Sequence, residues 1–257
     1  MARTRSVLAA CLAFLSMACA HAADICTIVA DASTGRIAVQ RGDCRTRVTP
    51  ASTFKIAIAL MGYDAAVLKD EHHPELPFRE GYPDWRDSWK QPADPARWMR
   101  ESVVWYSQQV TTALGMARFR DYVERFGYGN RDVSGDADHD GLTLSWIGSS
   151  LKISPFEQLS FLRRIVNRQL GVSPHAYDMT ARLVAYKRIG AWDVSGKTGA
   201  SSGYGWYVGW AAQGPRTFVF AHLLRKDASD PDDIPASFLA RDRFLEALPE
   251  MLAQAAR

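Results

Sequence analysis

Hydrophobic positions change their spacing three times along the chain. Two short β-branched runs, 26–30 and 36–41, flank Asp31-Ala32-Ser33-Thr34-Gly35, whose turn-forming residues predict a hairpin. The next segment, Pro50 to Leu60, predicts a helix buried nearly all round, because Phe54, Ile56, Ala57, Ile58, Ala59 and Leu60 leave it almost no polar face. Thr49 is placed to cap that helix, and Pro50 fits its first position, where a missing N–H costs nothing. Between residues 62 and 172, helical patterns alternate with Pro-, Gly- and Trp-rich loops such as Gly81-Tyr82-Pro83-Asp84-Trp85 and Gln91-Pro92-Ala93-Asp94-Pro95. Helices are predicted at 105–116, 116–126, 155–168 and, just beyond, 175–183, with no strand in this middle part. Strand patterns return at 192–198, 205–212 and 217–224, with turns at 200–203 and 213–216. The chain ends in an amphipathic helix whose stripe is Phe238, Leu239, Leu245, Leu248, Met251 and Leu252. Strands at both ends of a helical middle predict a mixed α/β fold. An antiparallel sheet flanked by helices comes from 23–61 and 173–257, with an all-helical insertion over 62–172 and an active site between them.

Composition narrows the partners. A net charge of +3 in 257 residues, without a Lys/Arg run or interleaved aromatic and basic residues, argues against nucleic acid and for a small molecule. Arg3, Arg5, an apolar run over 7–20 and Ala20-His21-Ala22 predict a cleaved secretory leader at residues 1–22. The apolar run is shorter than the roughly 20 residues that span a bilayer. A secreted, periplasmic protein with no membrane attachment after processing is expected. Cys11 and Cys19 leave with the leader, and Cys26 and Cys44, flanking the hairpin in an oxidising compartment, are expected to form one disulfide. Spacings typical of metal ligands are missing from the sequence, so no metal site is expected.

The candidate chemistry begins inside the buried run. Ser52 and Lys55 share one helix face, one turn apart. A lysine in such surroundings snorkels, pairs with an anion or loses its proton, and a neutral amine beside a serine is a base. Taken alone, the pair fits a snorkelling lysine beside a capping-type serine as well. Three further motifs follow in order: Ser102-Val103-Val104, where Ser102 also fits a plain helix cap; Tyr128-Gly129-Asn130, which also fits a helix-ending turn; and Lys197-Thr198-Gly199, ending a strand. The last offers a cation, a hydroxyl and an open backbone edge to an anion.

In this order the motifs resemble those of the serine β-lactamase and penicillin-binding protein superfamily. Ser-x-Val with Tyr-Gly-Asn is similar to the class D, or oxacillinase-type, β-lactamases. Pro50-Ala51-Ser52-Thr53-Phe54-Lys55, the segment from Trp146 to Ser154 with Gln158, and Trp206-Tyr207-Val208-Gly209-Trp210 extend the likeness over the mature chain. The resemblance implies the transpeptidase-like fold, hydrolysis of β-lactam antibiotics and hence resistance, through a Ser52 acyl-enzyme. It further implies no cofactor beyond CO₂, carried by Lys55 as N6-carboxylysine, the general base. Val104 would keep that lysine's pocket apolar and Trp146 would donate its indole N–H to the carbamate. The oxyanion would rest on the N–H groups of Ser52 and Ala200, Ser102 and Lys197 would relay a proton, and Thr198 with Arg241 (or Arg243) would hold the substrate carboxylate. Gly199 completes the last motif.

Two positions depart from the family pattern. Trp105 replaces a common proline and Ala200 a common aromatic residue, and both are expected at the substrate cleft. The turn at 201–203 is also short. A non-hydrolysing penicillin-binding or sensor-type domain is the rival expectation, and a monomer or weak homodimer the expected assembly.

Overall fold

The computed structural model describes residues 24–255. One antiparallel sheet contains β1 (Asp24–Asp31), β2 (Ile37–Gly42), β3 (Ala185–Ile189), β4 (Trp192–Ser201), β5 (Tyr204–Gln213) and β6 (Arg216–Arg225), in the order β2-β1-β6-β5-β4-β3. The two chain ends meet where β1 pairs with β6, Val29 opposite Phe220. The helices are α1 (Lys55–Asp64), α2 (Pro95–Glu101), α3 (Val104–Leu114), α4 (Met116–Phe126), α5 (Gly141–Leu144), α6 (Pro155–Val166), α7 (Pro174–Leu183) and α8 (Ala236–Ala255).

Strand alternation sorts the sheet's side chains into two cores. Ile28, Ala221 and Leu223 join the larger core with α1 and α6, whereas Val29, Phe220 and Leu224 face Phe244, Leu245 and Leu248 of α8. Covering both faces explains why β6 is apolar nearly throughout. The hairpin is stapled at its open end by the Cys26–Cys44 disulfide, with Cα atoms 5.0 Å apart. The leader expected at residues 1–22 lies outside the described residues. No helix among the described residues is long and apolar enough to cross a membrane.

Several sequence expectations are corrected. Thr49 does not cap the Ser52 helix: its hydroxyl meets that of Tyr204, and its carbonyl accepts from Trp206 Nε1 at 3.0 Å. A 3₁₀ turn, Ala51–Phe54, comes first and α1 starts at Lys55. β3 and α2 were not expected. β3 is an edge strand with Tyr186, Lys187 and Arg188 exposed, so it shows no apolar alternation. α2 starts where Pro95 follows Asp94, whose carboxylate accepts from Arg97 N at 2.7 Å. Lys197-Thr198-Gly199 lies within β4 rather than at its end, and the following turn is the tight pair Ser202-Gly203, because Ser201 already pairs with Tyr204. Phe238 leaves the apolar stripe of α8 and faces the cleft instead.

Candidate active site

The nucleophile position is built by close packing around residues 50–55. Ala51 N donates to Trp146 O at 3.0 Å, and Ala51 adopts φ 48°, a left-handed conformation unfavourable for a side chain with a Cβ. The chain turns sharply there and presents Ser52 ahead of α1. Lys55 Nζ donates to Ser52 Oγ at 3.0 Å. α1 is buried from Lys55 through Tyr63, and Lys55 has no solvent exposure at all. Burial holds its amine well below the ordinary lysine pKa of 10.5, and the like charges of Lys197 and Arg86 push the same way.

Lys197 approaches from β4. Its Nζ donates to Ser102 Oγ at 2.5 Å and to Thr198 O at 3.0 Å. It too is buried, and desolvation together with Arg86 and Arg241 lowers its pKa to about 7. Ser102 is not the cap of α3. It ends α2 at φ 60°, a strained conformation that turns the chain into α3. Gly199 allows β4 to press against the nucleophile's turn: an added Cβ would lie 2.9 Å from Pro50 O and 3.0 Å from Thr53 N. β3 pairs with β4 only up to Ser195, and Gly196 N then donates to Val184 O. N–H directions alternate along a strand, so Ala200 N, four residues on, faces the same, uncovered edge.

Tyr-Gly-Asn does not line the cleft. Gly127 ends α4 in the left-handed region, and the motif then ties the loop carrying Trp146 to that end. Asn130 Nδ2 donates to Ser150 O at 2.8 Å, and Asn130 Oδ1 accepts from Lys152 N at 2.9 Å. Gly129 is needed at φ 54°, where a Cβ would lie 2.0 Å from Lys152 O. Tyr128 is fully buried, its ring 4.9 Å from that of Phe54, which in turn packs 5.4 Å from Trp146. Trp146 is also fully buried, yet its Nε1 has no hydrogen-bond partner. An orphaned, fully buried donor is suited to an acceptor anion.

A cavity of about 180 Å³ opens over Ser52, Ser102, Val104 and the strand edge at Thr198, Gly199 and Ala200. A larger neighbour of about 330 Å³ shares Thr198 and is lined by Lys197 and Arg241. Arg243 points elsewhere, donating to Asp230 at 2.6 Å. A serine hydroxyl, two amines whose pKa values burial lowers, a second hydroxyl and an open N–H edge form a set capable of acyl transfer.

The profile of the penicillin binding protein transpeptidase domain matches residues 25–241. Beta-lactamase OXA-9 of Klebsiella pneumoniae is 43% identical over 242 residues, covering 88% of either chain. Beta-lactamase OXA-1 of Escherichia coli is 36% identical over 210 residues, covering 77% of this chain and 75% of that protein. The chain belongs to the class D β-lactamase family. The crystal structure of the OXA-427 class D beta-lactamase superposes with a TM-score of 0.84 at 44% identity, covering 90% of this chain and 99% of that one.

This family member carries cleft residues that sequence reading missed. Trp85, Arg86, Trp89 and Ile147 line the smaller cavity. Trp85, Arg86 and Trp89 belong to a loop dense in tryptophan, and a loop gives no period from which to place it, whereas Ile147 lies in the Trp146 to Ser154 segment already singled out by its likeness to the family. Ala200 lines the cleft as expected, whereas Trp105 does not. Trp105 is fully buried, stacked on Tyr82 at 5.4 Å and donating to Trp89 O at 3.0 Å, so it supports the cleft wall from behind.

Proposed function

We propose that the chain hydrolyses β-lactam antibiotics through an acyl-enzyme on Ser52, with Lys55 carrying the general base, and so confers resistance to them. The observation that carries this reading is the 3.0 Å contact between the Oγ of Ser52, which lines the cavity, and the Nζ of a fully buried Lys55. Ser52 Oγ attacks the lactam carbonyl and gives its proton towards Lys55. The oxyanion forms between the N–H groups of Ser52 and Ala200. As the lactam C–N bond breaks, Ser102 passes a proton to the departing nitrogen and recovers one from Lys197, whose pKa of about 7 suits it to both giving and taking. The proton taken from Ser52 is passed on to Lys197, which restores both groups, and water then attacks the ester while the base at Lys55 takes its proton and hands it to the departing Ser52 oxygen. Thr198 and Arg241 hold the substrate carboxylate.

The residues around Lys55 fit a carbamate. Burial disfavours the charged form of the amine, Val104 lines the cavity over the neighbouring Ser52, and the indole N–H of Trp146 lacks an acceptor. Formed from CO₂, the carbamate supplies an anionic oxygen base. Periplasmic residence after removal of the leader completes the reading.

Turnover of a chromogenic cephalosporin tests it. Steady hydrolysis is expected, and mass spectrometry should find a penicillin adduct on the protein but none on Ser52→Ala. A stoichiometric burst without turnover would mark a sensor-type domain instead.

A further inference from the structure

Arg86 stands at the rim of the Ser52 cavity in a position that neither the motifs nor the proposed chemistry uses. Its guanidinium carbon lies 6.0 Å from the Trp89 ring centroid and 5.9 Å from that of Phe238, so it bridges the two walls of the cleft. The carboxylates adjacent in sequence are drawn off by Lys90, which pairs with Asp84 at 3.5 Å and Asp87 at 3.1 Å. Glu101, also at the cavity, sits 3.7 Å from Arg100. Among the described residues no carboxylate reaches Arg86. Arg241 lies 4.8 Å from the same ring centroid and gives its Nε and one terminal nitrogen to Asp242 at 2.7 and 3.2 Å. The two arginines therefore share one phenylalanine ring, but of the two only Arg86 has all its donors uncommitted. Its charge also reaches the centre, depressing the pKa of both Lys55 and Lys197.

A guanidinium held over aromatic rings beside the nucleophile, with no internal counter-ion, is a receptor for an anionic group. The ring carboxylate common to β-lactams is assigned above to Thr198 and Arg241. We infer that Arg86 binds a second carboxylate, one borne on the acylamino side chain of the substrate, and so selects for dianionic penicillins. This inference rests on the β-lactamase reading and adds a substrate class to it.

The test compares benzylpenicillin with its α-carboxy analogue, measuring kcat/KM for both on the wild type, Arg86→Gln and Arg86→Lys. Losing the Arg86 charge also shifts Lys55 and Lys197, but that effect is common to both substrates and cancels in their ratio, as does the fraction of active enzyme. The ratio of dianionic to monoanionic substrate is expected to fall about fivefold in Arg86→Gln, the scale of a partly exposed ion pair. Arg86→Lys should keep most of it, and added salt should compress the wild-type ratio towards that of the Gln variant. An unchanged ratio in Arg86→Gln overturns the inference, whether the two rates fall together or stay as they were. Failure of the wild type to turn over benzylpenicillin would instead sink the underlying reading.

Discussion

Lys55 is costly for the fold and useful for the chemistry for the same reason. A fully buried amine loses its hydration, and the nearby charges of Lys197 and Arg86 disfavour the ammonium further. A neutral amine reacts with CO₂ where an ammonium does not. Activity is therefore expected to depend on dissolved bicarbonate. Acidification protonates the amine, so progress curves at mildly acid pH should slow with time, and bicarbonate should restore them. Trp146→Ala removes the orphaned indole donor and should need more bicarbonate for the same rate. With carbon-13 bicarbonate, a carbamate resonance should appear in the wild type and be missing from Lys55→Ala. Rates indifferent to bicarbonate at every pH, with no such resonance, would leave Lys55 as a plain amine base.

The elements around the site differ in how well the sequence announces them. The segment 145–153 carries no regular structure and holds Trp146 in place through its connection to the end of α4. Asn130→Ala breaks two of those hydrogen bonds, at roughly 1 kcal/mol each. It should lower kcat and raise the bicarbonate concentration for half-maximal rate, while penicillin acylates Ser52 at the same position. An unchanged bicarbonate requirement would show that this connection serves stability alone. Sequence reading found Tyr128, Gly129 and Asn130 as a motif but not this tie, because backbone partners twenty residues away leave no local pattern. Ser52 and Lys55 were legible because a charge inside an apolar run breaks the period of that run. The strands β4, β5 and β6 were legible because each buries alternate or nearly all side chains. β3 was not, since an exposed edge strand has no burial to record, and α2 was obscured by the prolines before it. Arg86 could not be read at all: its meaning lies in Phe238, over 150 residues further on, and in the carboxylates that Lys90 removes.

The two chain ends are joined by strand pairing and by α8, whose apolar face packs on Val29 and Val39. β1 and β2 reach the sheet through β6, and the Cys26–Cys44 link closes a loop of 18 residues at that edge, far from the cleft. Replacing both cysteines with serine should lower Tm by roughly 5–10 °C, from a loop-closure effect of about 3 kcal/mol, while leaving turnover in place. The site pulls in the opposite direction. Lys197 has a folded-state pKa of about 7 against an ordinary 10.5, so between those values the unfolded chain binds more protons than the folded one. Stability then rises with pH across that window. Below about pH 7 the amine is charged in both states and the full cost of burying it is present. Above 10.5 it is neutral in both, and the cost is gone. Lys197→Met keeps the stem and removes the charge, so it should be inactive yet melt higher than the wild type near pH 7. The gap should narrow steadily as pH approaches 10.5. The melts belong in CO₂-depleted buffer, because an anion on Lys55 would pair with Lys197 and offset its cost. A gap that stays constant with pH, or widens, would mean that Lys197 is already fully compensated in the fold by Ser102 and the Thr198 carbonyl.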